Sequence, residues 1–379
     1  MNAKRRPKGT GSVRTRQGQH QATYSFVDGA GRRRRRSRIF TTRTAAREWL
    51  TARLAEVATG QVADAGGLTI GDYLTTWLEG LPGQVEAKTA SWYRWVARRH
   101  LIPTLGKVHL DRLTPVDVDR LLAERKRAGI GATTLRAIRV TLGKALGDAA
   151  RKGLLYRNPV ELADRPKSQK KDATVMVWTP EEVGVFLRSV TDDRLAAMWR
   201  TAAMTGMRRS EICGLYWPDV DLEHGALSIR RAVVVVEGHP HVKAPKTAKS
   251  RRTVELDMGT VVALKEWRRC QLEERLRAGE AWEVGEWVFT DQLGKPVNPE
   301  WVGKKFRRLV GTTTLPSITM RQLRHSHATA LLRAGVHPKV VQERLGHSSI
   351  GVTLDIYSSV LPTMQREAVE RLVGLIDGR

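Results

Sequence analysis

Arg165 to Thr174 reads RPKSQKKDAT, which is polar, basic and without hydrophobic period. Such a stretch cannot be threaded through an apolar core, so the residues on its two sides have to build separate ones. A second break, Ala63 to Gly67 (ADAGG), acts the same way nearer the start. The two breaks divide the 379 residues into parts spanning 1–62, 68–165 and 173–379. A chain of this length has room for two or three domains.

The three parts carry different patterns. In the first, Gln21 to Val27 (QATYSFV) and Arg32 to Phe40 predict strands around the turn Asp28-Gly29-Ala30-Gly31. Ala46, Trp49, Leu50 and Leu54 then give Thr44 to Thr59 helical spacing. A small β-sheet with one helix is expected. The second part is predicted to be all-α, with four or five helices. Thr114-Pro115-Val116-Asp117 supplies a cap, a first-turn proline and the acidic third position of a capping box. Leu135, Ile138, Leu142, Ala145, Leu146 and Ala149 form one apolar stripe, and Gly153 fits a helix stop. The third part is mixed and mainly helical, opening at Thr179-Pro180-Glu181-Glu182. Helices are expected near 180–190, 193–205 and 208–215, then near 259–278, 299–310, 320–334, 338–345, 350–358 and 362–376. Between them, Ala226 to Ile229, Ala232 to Glu237 and Arg251 to Leu256 predict a small antiparallel sheet. The expected fold class is therefore multidomain.

Charge narrows the function. Lys and Arg number 65 against 39 Asp and Glu, a net charge of +26. Residues 1–60 hold 15 of the cations and only Asp28, Glu48 and Glu56 against them. An excess of this size opposes compaction unless a polyanion neutralises it. Arg32, Arg33, Arg34, Arg35 and Arg36 repel one another unless phosphates sit between them, which favours a basic sheet entering a DNA groove over a solvated run. Arg98, Arg99, Arg136 and Arg139 lie between the apolar stripes of the middle part and make a second candidate DNA-binding face.

Other classes drop out. The hydrophobic fraction is 41%, so this is not a disordered basic tail. No apolar run approaches the ~18 residues of a membrane helix, and no signal peptide follows the basic start. Cys213 and Cys270 cannot make a disulfide framework or a four-cysteine zinc site, and a reducing cytoplasm suits them. His325, His327, His337 and His347 follow no familiar ligand spacing, so no metal is expected.

Four boxes in the third part could carry chemistry. The first is Thr205-Gly206-Met207-Arg208-Arg209-Ser210-Glu211, where Arg208 and Glu211 share a helix face. The second is the basic run from Ala244 to Val254 (APKTAKSRRTV), expected as a hairpin loop between the valine-rich strand and the strand that starts near Arg251. The third is Thr319 to His327 (TMRQLRHSH), with Arg321 and Arg324 on one face. The fourth is Leu345-Gly346-His347, where Gly346 ends a helix and leaves His347 in the turn, ten residues before Tyr357.

In order and spacing, these boxes and Tyr357 resemble the active site of the tyrosine recombinases, the phage integrase family. The first part (GSVRTRQGQH…RRRRRSRIFTTRTAAREW) resembles the arm-type DNA-binding domains of integrases, and the middle part resembles their core-binding domain. The likeness thus spans nearly the whole chain and is strongest within 200–360.

The resemblance implies a site-specific DNA recombinase of a phage or integrative element. Arg208 and Arg324 would grip the scissile phosphate, because a planar guanidinium donates two parallel hydrogen bonds to phosphate oxygens. Tyr357 would be the nucleophile and form a 3′-phosphotyrosine link. An ordinary tyrosine is only about 0.1% ionised at neutral pH, so nearby cations would have to favour its phenolate. Lys246 would protonate the departing 5′-oxygen, His347 would bond the phosphate, and Glu211 would orient its neighbours. Arg321 stands where the family usually has His; it carries over as a phosphate-site cation without a proton-relay role. The covalent link conserves bond energy, so no cofactor, ATP or metal is implied, and no GxxxxGK phosphate loop is present.

The implied partners are double-stranded DNA at core and arm attachment sites, three further copies in a homotetramer on that DNA, a host DNA-bending protein and an excision factor. The implied place is the cytoplasm of a bacterial host, at the nucleoid, with no membrane contact. Two alternatives use the same features. Pro338 to Tyr357 resembles a helix-turn-helix, which would make the chain a non-catalytic regulator. A type IB topoisomerase would use the same chemistry without joining partner strands.

Overall fold

The computed structural model describes residues 11–27, 33–58, 67–165, 176–244, 251–347 and 349–351, with single positions at 354, 369, 372, 373, 376 and 377. The chain divides into two compact units, Met1–Gln169 and Lys170–Arg379.

The first unit holds two separate apolar cores. The smaller lies under a three-stranded antiparallel sheet of β1 (Ser12–Arg16), β2 (Gln19–Val27) and β3 (Arg33–Phe40) in that order, covered by α1 (Arg43–Ala58). Strand β1 is additional to the sequence expectation. Val13 is the one aliphatic residue in SVRTR, too little for a strand signal. Its partner is set by the tight turn at Gln17 and Gly18, with φ of +50° and +74°. Strand alternation divides the arginine run between two faces. Arg34, Arg36 and Arg38 pair with Phe26, Tyr24 and Ala22 and share the face on which α1 packs. Arg33 and Arg35 occupy the other face. Arg36 lies 5.4 Å from the Phe26 ring centroid and 3.6 Å from Asp111. Arg32 lies outside the described residues.

The larger core joins α2 (Ile70–Glu79), α3 (Ala87–Val96), α4 (Ile102–Leu105), α5 (Pro115–Arg127), α6 (Ala132–Arg151) and α7 (Pro159–Leu162). The expected capping box closes on α5, where Thr114 and Asp117 bond reciprocally. The whole apolar stripe of α6 is buried. Tyr73 fixes α2 to it through a 2.7 Å hydrogen bond to the Ala145 carbonyl. Helix α3 continues through a π-helical turn, Ala97–Leu101, that buries Ala97, His100 and Leu101 and leaves Arg98 and Arg99 exposed. Arg136 is exposed as well. Arg139 is half-buried, and its Nη2 donates to the carbonyls of Val160 and Ala163 at 2.7 and 3.2 Å and so holds α7 against α6.

The second unit comprises α8 (Pro180–Ser189), α9 (Ala196–Thr205), α10 (Arg209–Ile212), β4 (Val220–Asp221), β5 (Ala226–Ile229), β6 (Ala232–Val236), β7 (His239–Lys243) and β8 (Arg252–Glu255), followed by α11 (Met258–Ala278), α12 (Pro299–Gly311), α13 (Met320–Arg333) and α14 (Pro338–Leu345). Helix α9 is central, with α11 and α13 packed on it. Trp178, Phe186, Trp199 and Phe306 form the aromatic heart of this core. The strands form two small antiparallel sheets, β4-β5-β8 and β6-β7. This corrects the expected hairpin: the valine strand β6 pairs with β7, and the strand from Arg252 pairs with β5. The sequence HPHVK concealed β7, since Pro240 and two histidines give no strand signal, yet a tight turn at Glu237 and Gly238 folds it back onto β6. Among the described residues no helix is long and apolar enough to cross a membrane.

Candidate active site

Two left-handed glycines begin the construction. Gly206 closes α9 at φ +62° and Gly346 closes α14 at φ +65°. Each turns the chain so that the next residues leave the helix axis. A Cβ on Gly206 would stand 2.6 Å from Leu345 Cδ2 and 2.7 Å from His327 Cδ2, so the two helix ends touch there. Arg208 follows at the N-cap of α10, and its backbone N–H donates to Glu211 Oε2 at 2.9 Å. Its Nη1 donates to Glu211 Oε1 at 2.6 Å.

The carbonyls at the end of α14 complete the frame. The last carbonyls of a helix lack partners within it and carry the negative end of its dipole. Three consecutive ones here each take a guanidinium. Arg344 O accepts from Arg252 Nε at 2.6 Å, Leu345 O from Arg324 Nη2 at 2.6 Å, and Gly346 O from Arg208 Nη2 at 2.9 Å. Arg324 also donates through Nη1 to Gly206 O at 2.8 Å, which ties α13 to the end of α9. Arg252 donates to both oxygens of Glu211, at 3.3 and 3.0 Å.

The electrostatics follow from burial. Glu211 is 4% exposed. Burial alone would raise its carboxyl, but the Arg252 and Arg208 guanidiniums outweigh it and hold the group below the usual range. Burial, then the neighbouring Arg208, push Arg324 down to about 9, so it stays charged at neutral pH. Burial and the charges of Arg324 and Arg208 push His347 down to about 4, so its ring is neutral. His327 is also pushed to about 4, by burial and then by Arg344. Its Nδ1 faces Ala203 O at 3.0 Å and its Nε2 accepts from Arg344 Nε at 3.3 Å, which requires the neutral ring with hydrogen on Nδ1. Three guanidiniums against one carboxylate leave a fixed net positive charge beside a neutral imidazole, a setting that suits one anionic tetrahedral group.

The structure thus brings together Arg208, Glu211, Arg324 and His347. Arg321 is exposed at the first turn of α13, one turn before Arg324. Lys246 and Tyr357 lie outside the described residues. Cys213 is a buried core residue whose thiol burial pushes up to about 12. Sequence reasoning missed Arg252, Arg344 and His327. The only signal for Arg252 was its place at the head of a strand, and it was masked by the neighbouring Arg251 and a run of basic residues.

Residues 179–364 match the model of the phage integrase family, and residues 69–124 match the model of a phage integrase N-terminal SAM-like domain. Among curated proteins, the chain is 28% identical to a tyrosine recombinase XerC-like protein of Caldanaerobacter subterraneus subsp. tengcongensis, covering 84% of this chain and 86% of that one. It is also 28% identical to an integrase of Streptomyces ambofaciens, covering 97% of both. Among solved structures, the Tn1549 transposon integrase in complex with transposon right end DNA matches with a TM-score of 0.67 and 22% identity over 81% of this chain and all of the other. A lambda integrase tetramer bound to a Holliday junction matches with a TM-score of 0.57 and 18% identity over 93% and 96% of the two chains. At these identities the structural likeness is one of fold.

Proposed function

We propose that this chain, which belongs to the phage integrase family of tyrosine recombinases and is a site-specific DNA recombinase, uses the Arg208, Arg324 and His347 cluster to hold the scissile phosphate of double-stranded DNA while Tyr357 attacks it. The tyrosine oxygen bonds to phosphorus, the bond from phosphorus to the 5′-oxygen breaks, and Lys246 gives that oxygen its proton. The phenolic proton leaves for solvent. A 5′-hydroxyl from a partner strand then reverses the steps and releases Tyr357. Charge concentrates on the equatorial phosphate oxygens in the transition state, where prepositioned guanidiniums stabilise it most. A general acid at the leaving oxygen contributes typically ~10²–10⁴-fold. Neutral His347 offers a hydrogen bond without the repulsion that another cation would add beside the guanidiniums. Arg321 adds charge at the rim.

The observation that carries this reading is the row of three consecutive carbonyls at the end of α14, each holding one guanidinium of a single cluster. On the same reading, residues 1–62 hold arm sites, 68–165 clamp the core site and 173–379 cut and rejoin. The DNA-bound form is a homotetramer in the bacterial cytoplasm, at the nucleoid, assisted by a host DNA-bending protein and an excision factor. The segment 362–376, expected as a helix and lying mostly outside the described residues, docks on a neighbouring protomer. A non-catalytic regulator or a topoisomerase is not favoured, because the family match covers the residues that a regulator would leave idle and the integrase relatives span nearly the whole chain.

The test is a nicked duplex that loses its 5′-hydroxyl strand after cleavage. Wild-type protein becomes trapped on it as a covalent adduct in a denaturing gel, and Tyr357→Phe gives none. A Tyr357→Phe protein that is trapped as well as wild type would refute the assignment.

A further inference from the structure

Arg252 enters the cluster at the head of β8. Each of its three guanidinium nitrogens donates inside the protein: Nη1 and Nη2 to the two oxygens of Glu211, and Nε to the Arg344 carbonyl. Its side chain is 6% exposed. The same two Glu211 oxygens take the Arg208 side chain and backbone N–H. Glu211 is therefore a junction, gripped from α10 by Arg208 and from β8 by Arg252. With Arg252 gone, the carboxylate keeps only its own helix's partner, and nothing from β8 fixes its plane. The Arg344 carbonyl, next to those that hold Arg324 and Arg208, would also lose its guanidinium.

We propose that Arg252 is a positioning residue: it fixes the Glu211 carboxylate, which in turn holds Arg208 in register with Arg324 at the phosphate. The inference rests on the reading that Arg208 and Arg324 grip that phosphate. It predicts a signature that a merely structural arginine would not give. The charged groups acting on Glu211 are Arg208 from its own helix start, Arg252 from β8 and Arg324 from α13. Of these Arg252 is the strongest, so its removal lets burial raise the Glu211 carboxyl toward neutrality. A protonated Glu211 no longer holds Arg208 as an ion pair, so the rate falls as pH falls.

The experiment measures single-turnover adduct formation on the nicked duplex at saturating protein, between about pH 6 and 9. It compares wild type, Arg252→Met, Arg252→Lys, Glu211→Gln and the Arg252→Met/Glu211→Gln double variant, each with its DNA affinity. The expected result is that Arg252→Met is slower by about 10²-fold at neutral pH with unchanged Kd. Its rate should climb with pH more steeply than wild type. The Lys variant should recover part of the rate and lose the extra slope. The double variant should be no slower than Glu211→Gln alone and should also lack the extra slope, because Arg252 acts through that carboxylate. A folded Arg252→Met protein with the wild-type rate or a parallel pH profile overturns the proposal, as do losses that multiply in the double variant. Should the Met variant not fold, the Lys variant decides: a reduced rate at unchanged Kd supports the proposal and a wild-type rate overturns it. Absence of any Tyr357-dependent adduct with wild type would instead sink the reading on which the proposal rests.

Discussion

Arg324 shows how one side chain can be built into a protein and still, on the proposed reading, hold a phosphate. Two of its nitrogens are spent on the Gly206 and Leu345 carbonyls, which aims the fork without neutralising it. Lysine cannot make that pair of bonds from one planar group. Arg324→Lys should therefore slow adduct formation by ~10²–10³-fold while DNA affinity stays near wild type, which single-turnover kinetics beside a binding curve would check. His327 gives a second, independent prediction. Its folded value of about 4 lies below the ordinary 6.5, so at intermediate pH the unfolded chain binds a proton that the folded one refuses. Its contribution, on the order of 3 kcal/mol, is complete above about pH 6.5 and is lost as pH falls toward 4. Thermal melts should decline over that window, and His327→Gln should flatten part of the decline. Parallel curves for the two proteins would contradict the assignment of that proton.

At the scale of elements, the site depends on where helices stop. Gly206→Ala would force a side chain into the left-handed region and against Leu345 and His327. The expected cost is about 1–3 kcal/mol in a denaturant melt, with slower adduct formation because Arg208 starts two residues later. Helix starts and stops were also what the sequence displayed best. The capping boxes at Thr114 and Thr179 and the stop at Gly346 are local chemistry, readable within a few residues, and the structure has them. Strands β1 and β7 were invisible, because their evidence is a partner strand and a two-residue turn rather than their own composition. Arg252 was missed for a related reason. Its meaning lies in Glu211 and Arg344, 41 and 92 residues away, and a basic loop surrounds it in sequence. In the arginine run, strand pairing assigns alternate residues to opposite faces, a division that five identical side chains in a row do not display.

For the whole molecule, a net charge of +26 sets the mode of DNA binding. If 6–10 phosphates are contacted, affinity should fall by ~10³–10⁵ between 50 and 200 mM salt, and a flat titration would refute an electrostatic footprint. Removing residues 361–379 tests the assembly: recombination should be lost while DNA binding persists, and unchanged recombination would refute a role for that segment in docking on a neighbouring protomer. The central claim is that a cluster of fixed guanidiniums makes one phenol cut DNA. Its most direct test is to digest the trapped adduct and locate the attached nucleotide by mass spectrometry. The account predicts a phosphodiester on the Tyr357 oxygen, carried by the 3′ end of the cut strand. A nucleotide on any other residue, or one attached through its 5′ end, would contradict it.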